Sequence, residues 1–503
     1  MRLSELPGRH AADAKDRSDL SDRNDTEKSG RVSRLRAWGF FVIQTLVILT
    51  TLKWVMLAVI AGIIAGVPTG IFLLLLDGGT GVVYARPHYF YLIPLGLFLS
   101  SLIVQTFAKD ARGHGTEKVI EALHNQDGHM NPMIIPVKMV ATLITLILGG
   151  SAGKEGPSAQ IGAGVASAFA SLVRLNRLDK QRFVLCGISA GFAGVFGTPI
   201  AGALFATEVL SIGRMSYNRL LPALMASYVS YFVTRSMGVI HLSYSVQFIV
   251  SSELAMLGKM VVFGLVIGML AIVFITMLSR VERLFHRIKI YEPLKGLIGG
   301  ALLVAVVLLT GTTNYVGLGT RIIDSALDGV AFRGIAPFFK MFTTSVTLAS
   351  GGSGGILTPI FFIGATAGNY WAQITGANVG LFSAIGMVAF LAACTNTPLA
   401  AVMMAMELFG VRTGSYGAVA CAVAFLIVGH MSVYPSQVIH QKKTLFIDLE
   451  MHGVSKVFTP AGTRKLFASF FSGYRDDRDE SSGITGKTVA ESAQDQDKPD
   501  SED

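Results

Sequence analysis

The chain says one phrase twice, and this limits its fold more than any other feature. Residues 149–163 read GGSAGKEGPSAQIGA and residues 351–365 read GGSGGILTPIFFIGA. Gly149, Gly150, Ser151, Gly153, Pro157, Ile161, Gly162 and Ala163 recur at an offset of 202. A second phrase follows each copy: TPIAGALFATEVL (Thr198–Leu210) returns as TPLAAVMMAMELF (Thr397–Phe409), at an offset of 199. Thr, Pro, Ala and a Glu nine residues after the Pro all match. Two ordered phrases at nearly one spacing mean a duplicated unit of about 200 residues, and a repeat of that size decides the architecture.

The duplicated unit is apolar. Of 503 residues, 51% are hydrophobic and 15% charged, against roughly a quarter charged in an average soluble domain. Trp54–Leu76 and Met260–Leu278 fall in the range of about 17–25 residues that spans a bilayer core. Other apolar stretches, such as Leu381–Cys394, are shorter or broken by Gly or Pro, and Gly is abundant at 55 residues. Breaks at membrane depth survive only where protein or a water-filled cavity covers the freed backbone. The expectation is an all-α polytopic membrane protein of many tilted and broken helices.

The net charge of +9 sits largely in short loops between apolar segments, at residues 174–182 and 280–295. Short basic loops are the positive-inside signature, so both are placed in the cytoplasm, and a nucleic-acid surface is excluded. Cys186, Cys394 and Cys421 lie in apolar context and fit no disulfide or metal pattern; no metal or other cofactor is expected. Residues 1–36 carry no apolar run, so no cleavable signal precedes the first span. They are read as a charged cytoplasmic arm, disordered or surface-helical. The membrane domain covers residues 37–440, with halves near 38–236 and 255–440. Residues 441–503 form a cytoplasmic tail, largely disordered after about 475.

In both copies of the first phrase a Gly-rich turn leads into an apolar helix, with Pro in the first turn, where its missing N–H costs nothing. A helix N-terminus carries partial positive charge and free N–H groups, so it binds anions. Repeated halves with broken helices place a substrate at the repeat interface. The ligand favoured is a small anion, with Gly153, Gly156 and Gly355 as binding candidates because glycine lets backbone approach a bare ion; Lys154, which could pair with Glu155 or face water, is a further candidate.

Glu155 is a carboxylate inside such a break, and an intramembrane ionisable residue is a functional-site hypothesis by default. It can occupy the anion's place and leave on protonation. Its counterpart in the second copy is Leu357, as Ile356 is that of Lys154. Glu208 and Glu407 are retained in both copies and are read as structural carboxylates capping nearby backbone. Lys138, opening an apolar segment, is expected to snorkel to the interface.

GKEGP (Gly153–Pro157), GGILTP (Gly354–Pro359) and the repeated TP…E phrases resemble the CLC family of chloride channels and transporters, over about residues 38–440. The resemblance implies two inverted repeats per subunit, one pore per subunit, a homodimer in the lipid bilayer, and a cell-membrane location with both termini cytoplasmic. It implies that Glu155 is the gating glutamate and passes protons if any pass. The amides of Ile356 and Leu357 and the hydroxyl of Tyr434 then hold the central anion. Where the family usually reads G-S-G-x-P, this chain reads GHGTE (Gly113–Glu117), which puts His114 at the anion-binding serine. Where exchangers of the family carry a second glutamate, this chain has Val209, so the inner proton site lacks a carboxylate. The implied function is channel-like transport of chloride or a similar small anion; chloride/proton exchange on the same scaffold is the alternative. A remote alternative is an intramembrane serine protease, from GGSG at residues 351–354. The match is short, and the repeat explains the same residues.

Overall fold

A computed structural model describes residues 9–441 and 443, apart from 214, 242–243, 245–247 and 249–251, with side chains from Trp38 onward. Among the described residues there are sixteen α-helices. The first half contains α1 (Arg9–Tyr84), α2 (Ile93–Phe107), α3 (Gly115–Asn125), α4 (Ile134–Ile147), α5 (Glu155–Leu172), α6 (Arg177–Phe196), α7 (Pro199–Glu208) and α8 (Tyr217–Ser236). The second contains α9 (Glu253–Arg287), α10 (Glu292–Thr310), α11 (Thr320–Leu327), α12 (Ala336–Ala349), α13 (Leu357–Thr375), α14 (Val379–Thr395), α15 (Pro398–Phe409) and α16 (Val411–Val428). The only described strands are two residues each, Ser211–Ile212 paired in parallel with Val438–Ile439. The predicted tail lies almost wholly outside the described residues, as do the side chains of the N-terminal arm.

Among the described residues five helices are long and apolar enough to cross a membrane; Trp38–Tyr84 of α1 and all of α9 are the longest, at 47 and 35 residues. The expected spans Trp54–Leu76 and Met260–Leu278 are their central parts. Three more apolar helices are shorter: α4, α14 and α15. α14 shows why length misleads here. Leu381–Thr395 is buried without a gap, as a helix apolar on all sides must be when protein rather than lipid surrounds it.

The duplication is visible in matched contacts. Asn176 and Asn378 cap α6 and α14 through their side-chain oxygens. Gly162 and Gly364 carry the two helix crossings. A Cβ at Gly162 would lie 2.3 Å from the Gly187 oxygen, and one at Gly364 would lie 2.3 Å from the Gly386 oxygen. The α5/α6 and α13/α14 backbones therefore touch at the same place in each half.

Ser151 and Ser353 extend the pattern across the halves. The Ser151 amide donates to Thr347 Oγ1 at 3.1 Å, and its hydroxyl pairs with Thr344 at 3.0 Å. The Ser353 amide donates to Thr145 Oγ1 at 3.2 Å, and its hydroxyl pairs with Thr142 at 3.0 Å. Each half thus fixes the other's glycine break with the same residues. Ser353 is accounted for by this mirror role, and its hydroxyl partner is a threonine rather than a base, which removes the support for a protease.

Candidate anion pathway

Where the two glycine breaks meet, the N-termini of α3, α5 and α13 converge. The Gly153 N–H donates to the Gly355 oxygen at 2.7 Å, and the Gly355 N–H returns to the Gly153 oxygen at 2.6 Å. His114, which precedes α3, bridges to Gly354. A Cβ at Gly355 would lie 2.8 Å from the Gly156 nitrogen, and one at Gly115 would lie 2.5 Å from the Gly156 oxygen. Only glycine permits this approach. The pairing also corrects an expectation. Gly153 and Gly355 spend their N–H groups on each other, so they build the crossing and do not donate to an anion.

Glu155 opens α5 and is 1% exposed. Its carboxylate lies on the N-terminus of α13, in the other half. Thr358 N–H donates to Oε2 at 3.1 Å and Thr358 Oγ1–H donates to Oε1 at 2.6 Å. Ile356 and Leu357 stand in the same turn, where N–H groups have no partner within the helix. The sequence does not single out Thr358. Its one signal is that its counterpart in the first copy is Gly156, so the repeat supplies this hydroxyl in one copy only.

Tyr434 is 1% exposed. Its backbone is held by Ser432 and by Cys394 through Val433, while its hydroxyl lies beside that of Thr116 without a well-formed hydrogen bond. The His114 ring lies 5.6 Å from the Tyr434 ring, centroid to centroid. His114 Nδ1 and the Thr116 hydroxyl are also buried without a partner. Three groups able to donate are therefore placed together and left open. Buried polar atoms are nearly always satisfied, so such a group is arranged for a ligand that accepts.

Cavities reach the crossing from two sides. On the Glu155 side, a 90 Å³ cavity lined by Lys154, Glu155, Thr320, Asp324 and Thr358 shares Lys154 and Thr320 with a 370 Å³ cavity that also contains Arg321. Lys154 thus faces the approach to Glu155 rather than holding its carboxylate. On the His114 side lies a 340 Å³ cavity with Lys109, Arg112, His114, Glu117 and Lys118 in its wall.

The remaining carboxylates are reciprocal. Glu208 accepts from Leu399 and Ala400 N–H at 3.1 and 2.9 Å, at the head of α15. Glu407 accepts from Ile200 and Ala201 N–H at 3.0 and 2.8 Å, at the head of α7. Val209 is fully buried. Lys138 does not snorkel. It is 0% exposed and donates to the Ala111 and Gly113 oxygens at 3.0 and 2.6 Å, which holds the loop that aims α3. Its counterpart Lys340, also 0% exposed, donates to the Gly317 oxygen at 2.7 Å, just ahead of α11. The reason in both cases is that unpaired loop carbonyls at membrane depth need a donor, and a buried ammonium needs acceptors.

A duplicated all-α membrane fold, with helix N-termini converging on open donors and one carboxylate across them, defines a class: proteins that carry small anions through a bilayer. Comparison with known proteins agrees. Residues 96–429 match the family described as voltage gated chloride channel. A "Chloride/fluoride channel protein" of Pseudomonas syringae pv. tomato is 34% identical over 397 residues, covering 78% of this chain and 87% of the relative. A "Voltage-gated ClC-type chloride channel ClcB" of Salmonella typhimurium is 28% identical, covering 64% and 80%. Among solved structures, a "CLC-type fluoride/proton antiporter" superposes with a TM-score of 0.74 at 29% identity, covering 77% of this chain and 98% of that one. The chain belongs to the CLC family of multi-pass membrane anion transport proteins.

Proposed function

We propose that this chain carries chloride or a similarly small anion, fluoride included, along a path that Glu155 closes. The observation that carries this is the Glu155 carboxylate on the Thr358 amide and hydroxyl, which are the groups that would receive a bare anion. Ionised, the side chain blocks the path; protonated, it loses its attraction for the α13 N-terminus and leaves. His114, Thr116 and Tyr434 hold an anion on the far side of this block, beside the amides of Ile356 and Leu357. Lys154 draws anions to one mouth, and Lys109, Arg112 and Lys118 draw them to the other. The short basic loops support a reading in which both termini lie in the cytoplasm, with the His114-side cavity facing it. The subunits work as a homodimer, each with its own path.

The path is channel-like. Val209 puts no carboxylate beside the path, and both oxygens of Glu208 are engaged by α15. Proton-coupled exchange is the second reading, favoured by the likeness to a fluoride/proton antiporter. Anion and proton flux recorded together from liposomes distinguish the two. Anion flux without proton movement supports the channel reading; protons driven uphill by an anion gradient, and stopped by Glu155→Ala, support exchange.

Tyr434→Phe removes only the hydroxyl. A hydrogen bond to a charged group contributes about 1.5–3 kcal/mol, so chloride affinity by calorimetric titration is expected to fall by roughly tenfold to a hundredfold. Unchanged affinity would take Tyr434 out of the site.

A further inference from the structure

Glu117 stands where an anion path should not tolerate a carboxylate. It lies in the first turn of α3, three residues after His114, and lines the 340 Å³ cavity. One oxygen is held: Oε1 accepts from the Ser436 N–H at 3.0 Å and from the Ser436 hydroxyl. The other, Oε2, is buried with no partner. The held oxygen ties α3 to the Tyr434–Pro435–Ser436 turn, so the carboxylate sits at the cavity end of the site. Both Glu117 and Glu155 are electrostatic neighbours of the Tyr434 hydroxyl. The site is therefore bracketed by two carboxylates, one on each side.

An ionised carboxylate oxygen buried without a donor is costly, and its charge repels an anion arriving from the cavity. A proton on Oε2 removes both effects, while Oε1 keeps its bonds to Ser436. We infer that Glu117 is a proton-binding site on the cavity side of the path: protonated, it admits anions to His114 and Tyr434 freely, and ionised, it slows their entry. This rests on the reading of the crossing as an anion path. It supplies the cavity side with the titrating carboxylate that Val209 does not.

Other groups that can titrate or shift the field face the same place. They are Lys109, Arg112 and His114 before α3, Lys118 and Glu121 on α3, Lys138 on α4, and Glu282 and His286 on α9. Lys118 is paired with Glu121, and Arg112 with Glu292. His114 is the rival to eliminate, because its protonation would also favour anions as pH falls.

The test is chloride efflux from liposomes holding the full chain, from pH 4.5 to 7.5, in the Glu155→Gln background where that gate no longer titrates. Efflux is expected to fall roughly tenfold as pH rises, the low end of what local fields do to ion concentration. Adding Glu117→Gln, which keeps an acceptor for Ser436, flattens the profile; adding His114→Asn leaves the slope in place. A slope that survives Glu117→Gln, a slope lost with His114→Asn instead, or a flat profile in Glu155→Gln alone overturns the inference. Absence of efflux from both the wild-type chain and Glu155→Gln overturns the path reading beneath it instead. Elution of each variant by size-exclusion chromatography shows that it is folded.

Discussion

Glu155→Gln raises anion efflux at neutral pH by roughly tenfold. The wild-type carboxylate is held by two hydrogen bonds from Thr358, at 3.1 and 2.6 Å, and by the partial charge of the α13 N-terminus. Bonds to a charged acceptor contribute about 1.5–3 kcal/mol each against about 1 for neutral pairs, and 1.4 kcal/mol is a factor of ten. A neutral amide of the same shape loses at least that much of its hold, and its NH₂ faces the donors of Thr358. The sign with pH follows. Protonation releases the wild-type side chain, so wild-type flux rises as pH falls, while the Gln variant already passes anions at neutral pH. The pH dependence that the variant keeps is the part that Glu117→Gln is expected to remove. Efflux and pH profiles matching the wild type would remove Glu155 from the path.

Gly162→Val and Gly364→Val each abolish the folded protein. An added Cβ meets a carbonyl oxygen of the facing helix at 2.3 Å in both cases, and backbone does not step aside as a flexible side chain does. Overpacking a core typically costs about 1–3 kcal/mol; these clashes exceed that range because two whole helices must separate, on a fold whose net stability is only about 5–15 kcal/mol. Size-exclusion profiles are expected to lose the folded peak for both variants, whereas Gly258→Ala, inside α9 with open space around it, keeps it. A folded Gly364→Val protein with normal transport would contradict the close crossing.

These two residues show what was legible in the sequence. A glycine shared by both copies marks a contact that the duplicated fold needs twice, and Gly162 with Gly364 is such a pair. A residue present in one copy only marks chemistry, and Glu155 against Leu357 is that case. What the sequence hides is the partner across the halves. Thr358 lies 203 residues from the carboxylate it holds. Gly153 and Gly355 read as anion donors because the strand-like pairing that consumes their N–H groups is written in backbone, not in side chains. Lys138 looked destined for the membrane surface for the same reason: the carbonyls of Ala111 and Gly113 that hold it inside have no side-chain signature. Glu117 was visible only as a departure from a motif, and its meaning depends on Ser436, which the fold brings to it from 319 residues away.

The central claim is that carboxylate and anion compete for one place, the N-terminus of α13. Anomalous diffraction from crystals of Glu155→Gln grown in bromide tests it most directly. The account predicts a bromide peak within hydrogen-bond distance of the Thr358 amide and hydroxyl, and none there in the wild-type protein at neutral pH. A Glu155→Gln crystal with bromide elsewhere on the path but not at Thr358 would contradict it.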